Sequence, residues 1–268
     1  MSSATSRLLE IAHLLLSFTG GWRARRELLR IYRLALADPT CDERTVVPIR
    51  LGGRPWPFHL RMADIYTLAE ILHEQQYRLE TPVPDAPVVL DAGANVGATG
   101  IWWLAHLPGA TLHCFEPEPA NFALLEANLS PYPRVGLHQA ALGCEEGTAR
   151  LTVAAHGAMH TLADESLGSR HIEVPLWRLD RFLEREGLRR VDLLKLDVEG
   201  FEIEVLRGLG DRLADVGVIA GEVHEDWVDP QEFYALLDAA GFQVVSRRPV
   251  TNPDEHVHLF EAARIDPA

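Results

Sequence analysis

Two rhythms of apolar positions run along this chain. Short, mostly apolar runs occur at 88–91, 111–116, 191–197 and 216–223, the first three ending in an acid, and helical-period stretches separate them. Runs of this length suit strands buried on both faces of a parallel sheet. Further strands are expected at 135–139, 149–153 and 172–177. Helices are expected at 100–105, 121–129, 179–186, 201–209 and 230–240. Residues 242–246 and 256–261 read as a closing antiparallel pair. Strands alternating with helices predict an α/β, doubly wound, mostly parallel sheet with helices on both faces.

The N-terminal part reads differently. Two helices are expected at 4–19 and 22–37, broken at Gly20-Gly21. A short hairpin over 45–51 and 56–61 follows, turning around Gly52-Gly53-Arg54-Pro55. Asp64 caps a helix running to Glu74, and proline-rich residues 79–87 lead to the sheet. Residues 1–80 are read as a cap or dimer contact, and 81–268 as the ligand-binding domain.

The first core strand ends in Asp91-Ala92-Gly93-Ala94-Asn95-Val96-Gly97, and a helix begins directly after. Such a turn offers backbone N–H groups at a helix N-terminus beside the carboxyl end of the strand. The dinucleotide fingerprint G-x-G-x-x-G lacks its middle glycine here, so a pyrophosphate is a poor guest. A carboxylate at the strand end would repel a pyrophosphate but welcome an ammonium. A ligand with an adenosine end and an amino-acid end fits, and S-adenosylmethionine has both. The second strand ends in Glu116-Pro117, where an acid at this distance can accept both ribose hydroxyls.

Composition narrows the partners. The net charge of −14 argues against nucleic acid. Residues 1–33 hold six arginines against two glutamates, so the remainder carries about −18. That basic segment reads as a solvated helix face or as a contact with an acidic neighbour, a membrane surface or a partner subunit. The apolar run near residues 8–18 is too short to span a bilayer and lacks a cleavage pattern. Cys41, Cys114 and Cys144 are scattered without C-x-x-C spacing, which gives no disulfide framework or zinc site and points to a cytoplasmic setting.

The strongest chemical signal is Lys195-Leu196-Asp197-Val198-Glu199-Gly200. Alternation puts Lys195 and Asp197 on one strand face, and a lysine inside an apolar strand must be paired. Glu222 and His224 share a face in the same way at the end of the next strand. Asp197, Glu199 and His224 are the catalytic candidates. With Glu222 they would also suit a divalent metal, and residue types alone do not separate a base from an ion site. Glu202 reads as a structural helix-capping acid. His156 and His160 are weaker candidates, and His256 and His258 read as structural.

Together these segments, with Asn121, Asn128 and Ala140-Ala141-Leu142-Gly143, resemble FkbM-type S-adenosylmethionine-dependent methyltransferases over about residues 60–225. The resemblance implies a seven-stranded Rossmann-like methyltransferase sheet. It places Asp91, Gly93, Ala94, Asn95 and Gly97 around the methionine portion. Glu116 with Pro117 would hold the ribose, Ala140 and Ala141 would lie beside the adenine, and Asp197 near the methyl. It implies a small-molecule or peptide acceptor, with O-methylation of a natural product, sugar or lipid hydroxyl expected first. N-methylation of an amide or amine, or a non-catalytic cofactor- or partner-binding module, are the alternatives.

Overall fold

A computed structural model describes residues 21–38, 43–61, 63–72, 75–153, 161–163, 170–250 and 256–264. The helix expected at 4–19, and with it most of the proposed dimer contact, lies outside the described residues, as do Cys41, His156 and His160.

Seven strands form the main sheet in the order β11-β12-β10-β9-β3-β4-β5. They are β3 (Val88–Ala92), β4 (Thr111–Phe115), β5 (Val135–His138), β9 (Val191–Leu196), β10 (Val216–His224), β11 (Phe242–Pro249) and β12 (Val257–Arg264). Pairing is parallel from β10 through β5. The expected closing pair is antiparallel, and β12 lies between β11 and β10. Chain direction across the sheet reverses at β3, whose neighbours are β4 and β9. This is the switch point where ligands enter open α/β sheets.

Mostly apolar runs are needed because both faces are covered. Val89, Leu193 and Val218 pack on one side, and Leu90, Leu194 and Ile219 on the other. Each pair is adjacent in sequence, so the pleat splits it between two cores. Helices α3 (Ala98–His106), α4 (Pro119–Leu129), α5 (Leu179–Glu186), α6 (Glu202–Leu209) and α7 (Pro230–Ala239) supply the cover. Glu118 caps α4 by accepting from Asn121 N, with Pro119 in the first turn. Strands β7 (Gly147–Val153) and β8 (Arg170–Trp177), expected as extra strands, pair with each other in a separate small sheet, where β8 also pairs with the two-residue β6 (Ala141–Leu142).

The N-terminal elements share one of these cores. Helix α1 (Trp22–Ala37) buries Ala24, Leu28 and Ile31 in the same cluster as Val89 and Trp102. Its apolar face is thus used within its own chain, and Trp22 stays exposed. The hairpin of β1 (Arg44–Leu51) and β2 (Arg54–Arg61) turns in two residues, Gly52-Gly53, rather than the expected four. Both glycines have positive φ, the primed geometry that matches strand twist. Helix α2 (Asp64–Leu72) is tied to β2 and α4 through Arg61, which pairs with Asp64 at 2.9 Å and bonds Asn121 Oδ1 at 2.6 Å. Among the described residues no helix is long and apolar enough to cross a membrane.

Candidate active site

A cleft of about 1020 Å³, part of it open to solvent, lies beyond the carboxyl ends of β3, β4, β9 and β10. The glycine turn forms one wall. Gly93 N and Ala94 N donate to Phe115 O at 3.1 and 2.9 Å, which pins the turn across to the end of β4. Gly93 has φ +78, and a Cβ there would lie 1.8 Å from the Asp197 carbonyl oxygen. The ends of β3 and β9 can approach this closely only at a glycine.

Glu116 follows β4 and lines the cleft while only 5% exposed. Its oxygens accept N–H bonds from Asn95 at 3.0 Å and Glu118 at 2.8 Å. Burial raises its pKa, which the two N–H bonds only partly counter, to about 7. Pro117, Ala140, Ala141 and Leu142 continue the wall, and Val198 and Phe201 also line the cleft. Asn95 also lines it, and its buried Oδ1 has no hydrogen-bond partner.

The opposite wall is acidic: Asp197, Glu199, Glu222 and Glu70 line it. Lys195 is 1% exposed and pairs as alternation predicts, with Asp197 Oδ2 at 3.1 Å and Asp91 Oδ1 at 3.4 Å. It also donates to Gly93 O at 2.6 Å. Burial works against the Lys195 charge, but Asp197 and Asp91 outweigh it and raise the pKa. Burial likewise opposes ionised Asp197, yet Lys195 and then His224 hold its pKa low.

His224 is buried behind this wall. Its Nδ1 lies 2.8 Å from Glu202 Oε1, and its Nε2 lies 3.3 Å from Glu199 Oε2 and 3.7 Å from Glu222 Oε2. Burial raises the pKa of Glu199, and that of Glu222 further, with Asp197 the next cause for Glu222. Asp197, Glu199 and His224 can each turn one ligating atom to within 4.8 Å of the others.

Three expectations need correction. Asp91 is fully buried and does not line the cleft; Lys195 and the Thr99 hydroxyl, at 2.8 Å, occupy the carboxylate foreseen for a ligand ammonium. Gly97 is also set back, a left-handed N-cap of α3 packed toward Leu125 and Leu129. His224 does not itself line the cleft and faces it through Glu199 and Glu222. Gly93, Ala94, Asn95, Glu116, Pro117, Ala140, Ala141, Asp197, Glu199 and Glu222 do converge on the one cleft. His256 and His258 lie elsewhere, bonded to Asp226 and Glu225.

Sequence reasoning did not foresee which side chains the N-terminal part brings to the site. Tyr77, 3% exposed, donates to Asp197 Oδ2 at 3.0 Å, and Gln76 donates to Glu222 Oε1 at 2.8 Å. Burial raises the Tyr77 pKa, and Asp197 adds to it, so the hydroxyl remains a donor. A Gln-Tyr pair before a connecting segment carries no motif that would reveal this. Glu202 was read as a capping acid; it also holds His224, while accepting from Val198 N and Gly200 N at 3.3 and 3.1 Å.

The sequence profile described as "Methyltransferase FkbM domain" matches residues 91–244, from the glycine turn into β11. The chain belongs to the FkbM methyltransferase family. It is accordingly an S-adenosylmethionine-dependent methyltransferase with a Rossmann-like sheet. Methyltransferase 1 of Beauveria bassiana is 31% identical over 207 residues, covering 68% of this chain and 83% of that protein. The 31-O-demethyl-FK506 methyltransferase FkbM of Streptomyces tacrolimicus is 32% identical over 213 residues, covering 66% and 80%. A crystal structure of Methyltransferase FkbM from Methylobacillus flagellatus aligns with a TM-score of 0.52 at 14% identity; the match covers 95% of this chain and 58% of that one, and supports the fold.

Proposed function

We propose that this FkbM methyltransferase transfers a methyl group to a hydroxyl oxygen of a small, neutral or polyhydroxylated acceptor. The observation that carries the reading is one cleft joining the glycine turn and Glu116 on one side to Asp197, Glu199 and Glu222 on the other. The residues present fit the cofactor. Glu116 offers lone pairs to the ribose hydroxyls, and Ala140, Ala141 and Leu142 offer an apolar seat to the adenine. The unpartnered Asn95 Oδ1 suits the ammonium of the amino-acid end.

When bound, the cofactor supplies an electrophilic methyl on a sulfonium, a good leaving group. The protein's part is alignment and proton removal. The acceptor hydroxyl lies against the acidic wall, whose carboxylates take its proton as the oxygen gains the methyl. Assistance of this kind contributes about 10²- to 10⁴-fold. The acidic wall disfavours an anionic acceptor, and the Streptomyces relative's name likewise sets its methyl on an oxygen.

The test is incubation with S-adenosyl-[methyl-²H₃]methionine and a panel of glycosides and hydroxylated macrolides, read by mass spectrometry. A trideuteromethyl ether is the expected product. Absence of cofactor binding in calorimetry overturns the methyltransferase reading, and label found only on nitrogen overturns O-methylation.

Glu116 makes cofactor affinity pH-dependent. The carboxylate accepts hydroxyl hydrogen bonds with both oxygens, and protonation removes one acceptor and the charge. Affinity for S-adenosylmethionine is therefore full well above the folded pKa of about 7 and falls as pH drops through it. Glu116→Gln should weaken binding about 10- to 100-fold at pH 8, the value of a bond to a charged group, and flatten the pH profile. An unchanged profile in Glu116→Gln would show that Glu116 is not the ribose partner.

A further inference from the structure

We infer that Asp197, Glu199 and His224 form a binding site for one divalent first-row cation, with Glu202 as the positioning residue that aims the histidine. The site deepens the acceptor wall proposed above and rests on that reading for its catalytic purpose. Its occupancy can be tested without it.

The argument starts from hydrogen-bond accounting at His224. The ring is 4% exposed and meets carboxylate oxygens on both sides. A neutral imidazole has one N–H and one lone pair. Glu202 Oε1 already accepts from Val198 N and Gly200 N, and the whole residue has no exposure. It is therefore a fixed acceptor, and it takes the Nδ1 hydrogen. Nε2 then faces Glu199 Oε2 at 3.3 Å and Glu222 Oε2 at 3.7 Å. Carboxylates thus crowd the ring on both sides in a buried place, which calls for a positive charge, supplied either by a second ring proton or by a cation at Nε2.

Further features favour a metal ion as that charge. The donor atoms of Asp197, Glu199 and His224 lie within 4.8 Å of one another, close enough to share a centre. Glu199 holds a left-handed backbone conformation at φ +53, which turns the chain just after β9. A histidine whose second nitrogen is held by a carboxylate is the usual support for a metal ligand. The nearest ammonium, Lys195, is already engaged by Asp91 and Asp197. One imidazole with two carboxylates suits Mn²⁺, Fe²⁺ or Zn²⁺ better than an all-oxygen ion.

Asp197 and Glu199 line the cleft, so the ion would sit at its acidic wall with positions open to an acceptor. An acceptor with two neighbouring oxygens, such as a vicinal diol, would chelate there. The ion would withdraw charge from the reacting oxygen and leave Glu222 to take the proton.

Mn²⁺ is the probe, titrated into chelator-treated full chain without cofactor or acceptor and followed by electron paramagnetic resonance and calorimetry. One Mn²⁺ per chain is expected, with pulsed-resonance coupling to an imidazole nitrogen that disappears in His224→Gln. Glu202→Gln, which leaves the three donors in place, should weaken Mn²⁺ about 10- to 100-fold, as loss of a supporting carboxylate does. Glu199→Gln should weaken it further. S-adenosylmethionine binding, measured in each variant, reports whether the fold is intact. Wild type that binds the cofactor but no stoichiometric Mn²⁺ overturns the proposal, since a second proton then occupies Nε2. So does a folded Glu199→Gln that binds Mn²⁺ like wild type. Failure of cofactor binding with Mn²⁺ binding retained would sink the methyltransferase reading instead.

Discussion

Lys195→Met is expected to cost about 3–5 kcal/mol of folding free energy, the usual consequence of removing one partner from a buried ion pair. Lys195 is 1% exposed, and Asp91 beside it has no exposure at all. Asp91 keeps the Thr99 hydroxyl, but its Oδ1 makes no hydrogen bond and has only the ammonium at 3.4 Å. Methionine fills the volume and leaves that oxygen bare. Asp197 still has Tyr77 and an edge on the cleft, so most of the cost falls on Asp91. A double-mutant cycle checks this. Lys195→Met with Asp91→Asn should regain part of the loss, because the buried charge goes with its partner. Urea unfolding at pH 7 is the measurement. A single variant within about 1 kcal/mol of wild type, the range of exposed pairs, would mean that the lysine is not compensating a buried charge.

The same variant should also damage catalysis. Lys195 bonds Gly93 O at 2.6 Å and Asp197 Oδ2 at 3.1 Å, so one ammonium ties the glycine turn to the acidic wall. These are the two sides of the cleft. Their separation is set by β3 and β9 lying side by side, with Asp91 opposite Lys195 in the register. The active-site geometry thus depends on a buried charge, which explains why β9 carries a lysine among its buried apolar positions.

The sheet was readable because burial on both faces leaves a plain mark, apolar runs that stop at Asp91, Glu116 and Asp197. The ends of those three strands then located the cleft, since strand ends in a parallel sheet meet at one edge. What was not readable depends on contacts between distant segments. Asp91 and Glu116 look alike as acids at strand ends, yet one is filled by Lys195 and the other lines the cleft. That difference arises from the β3–β9 register, which pattern alone does not specify. Tyr77 and Gln76 reach Asp197 and Glu222 across more than a hundred residues of sequence. They do so because the N-terminal helices and hairpin share a core with the sheet. Glu202 was visible as a helix-start acid, but its grip on His224 requires knowing that β10 ends beside α6.

Gly93→Ala should abolish cofactor binding, whereas Gly53→Ala should leave it intact. The two glycines have nearly the same backbone, φ +78 and φ +79, so both substitutions incur the strain of a left-handed residue, about 1–2 kcal/mol. Their surroundings differ. A Cβ at Gly53 meets nothing within 4 Å. At Gly93 it lies 1.8 Å from the Asp197 carbonyl oxygen and 3.0 Å from its carbon. That obstacle is backbone and has no rotamer to swing aside, so the ends of β3 and β9 must part. Overpacking of this kind adds about 1–3 kcal/mol. The functional loss should exceed the stability loss, because parting the strands breaks the Lys195–Gly93 bond and moves Asp197 away from the glycine turn. Calorimetry with S-adenosylmethionine, paired with thermal unfolding of both variants, separates the effects. Equal behaviour of the two variants would assign Gly93 to turn conformation alone; binding lost only in Gly93→Ala would make the close approach of the two strand ends the condition for holding the cofactor.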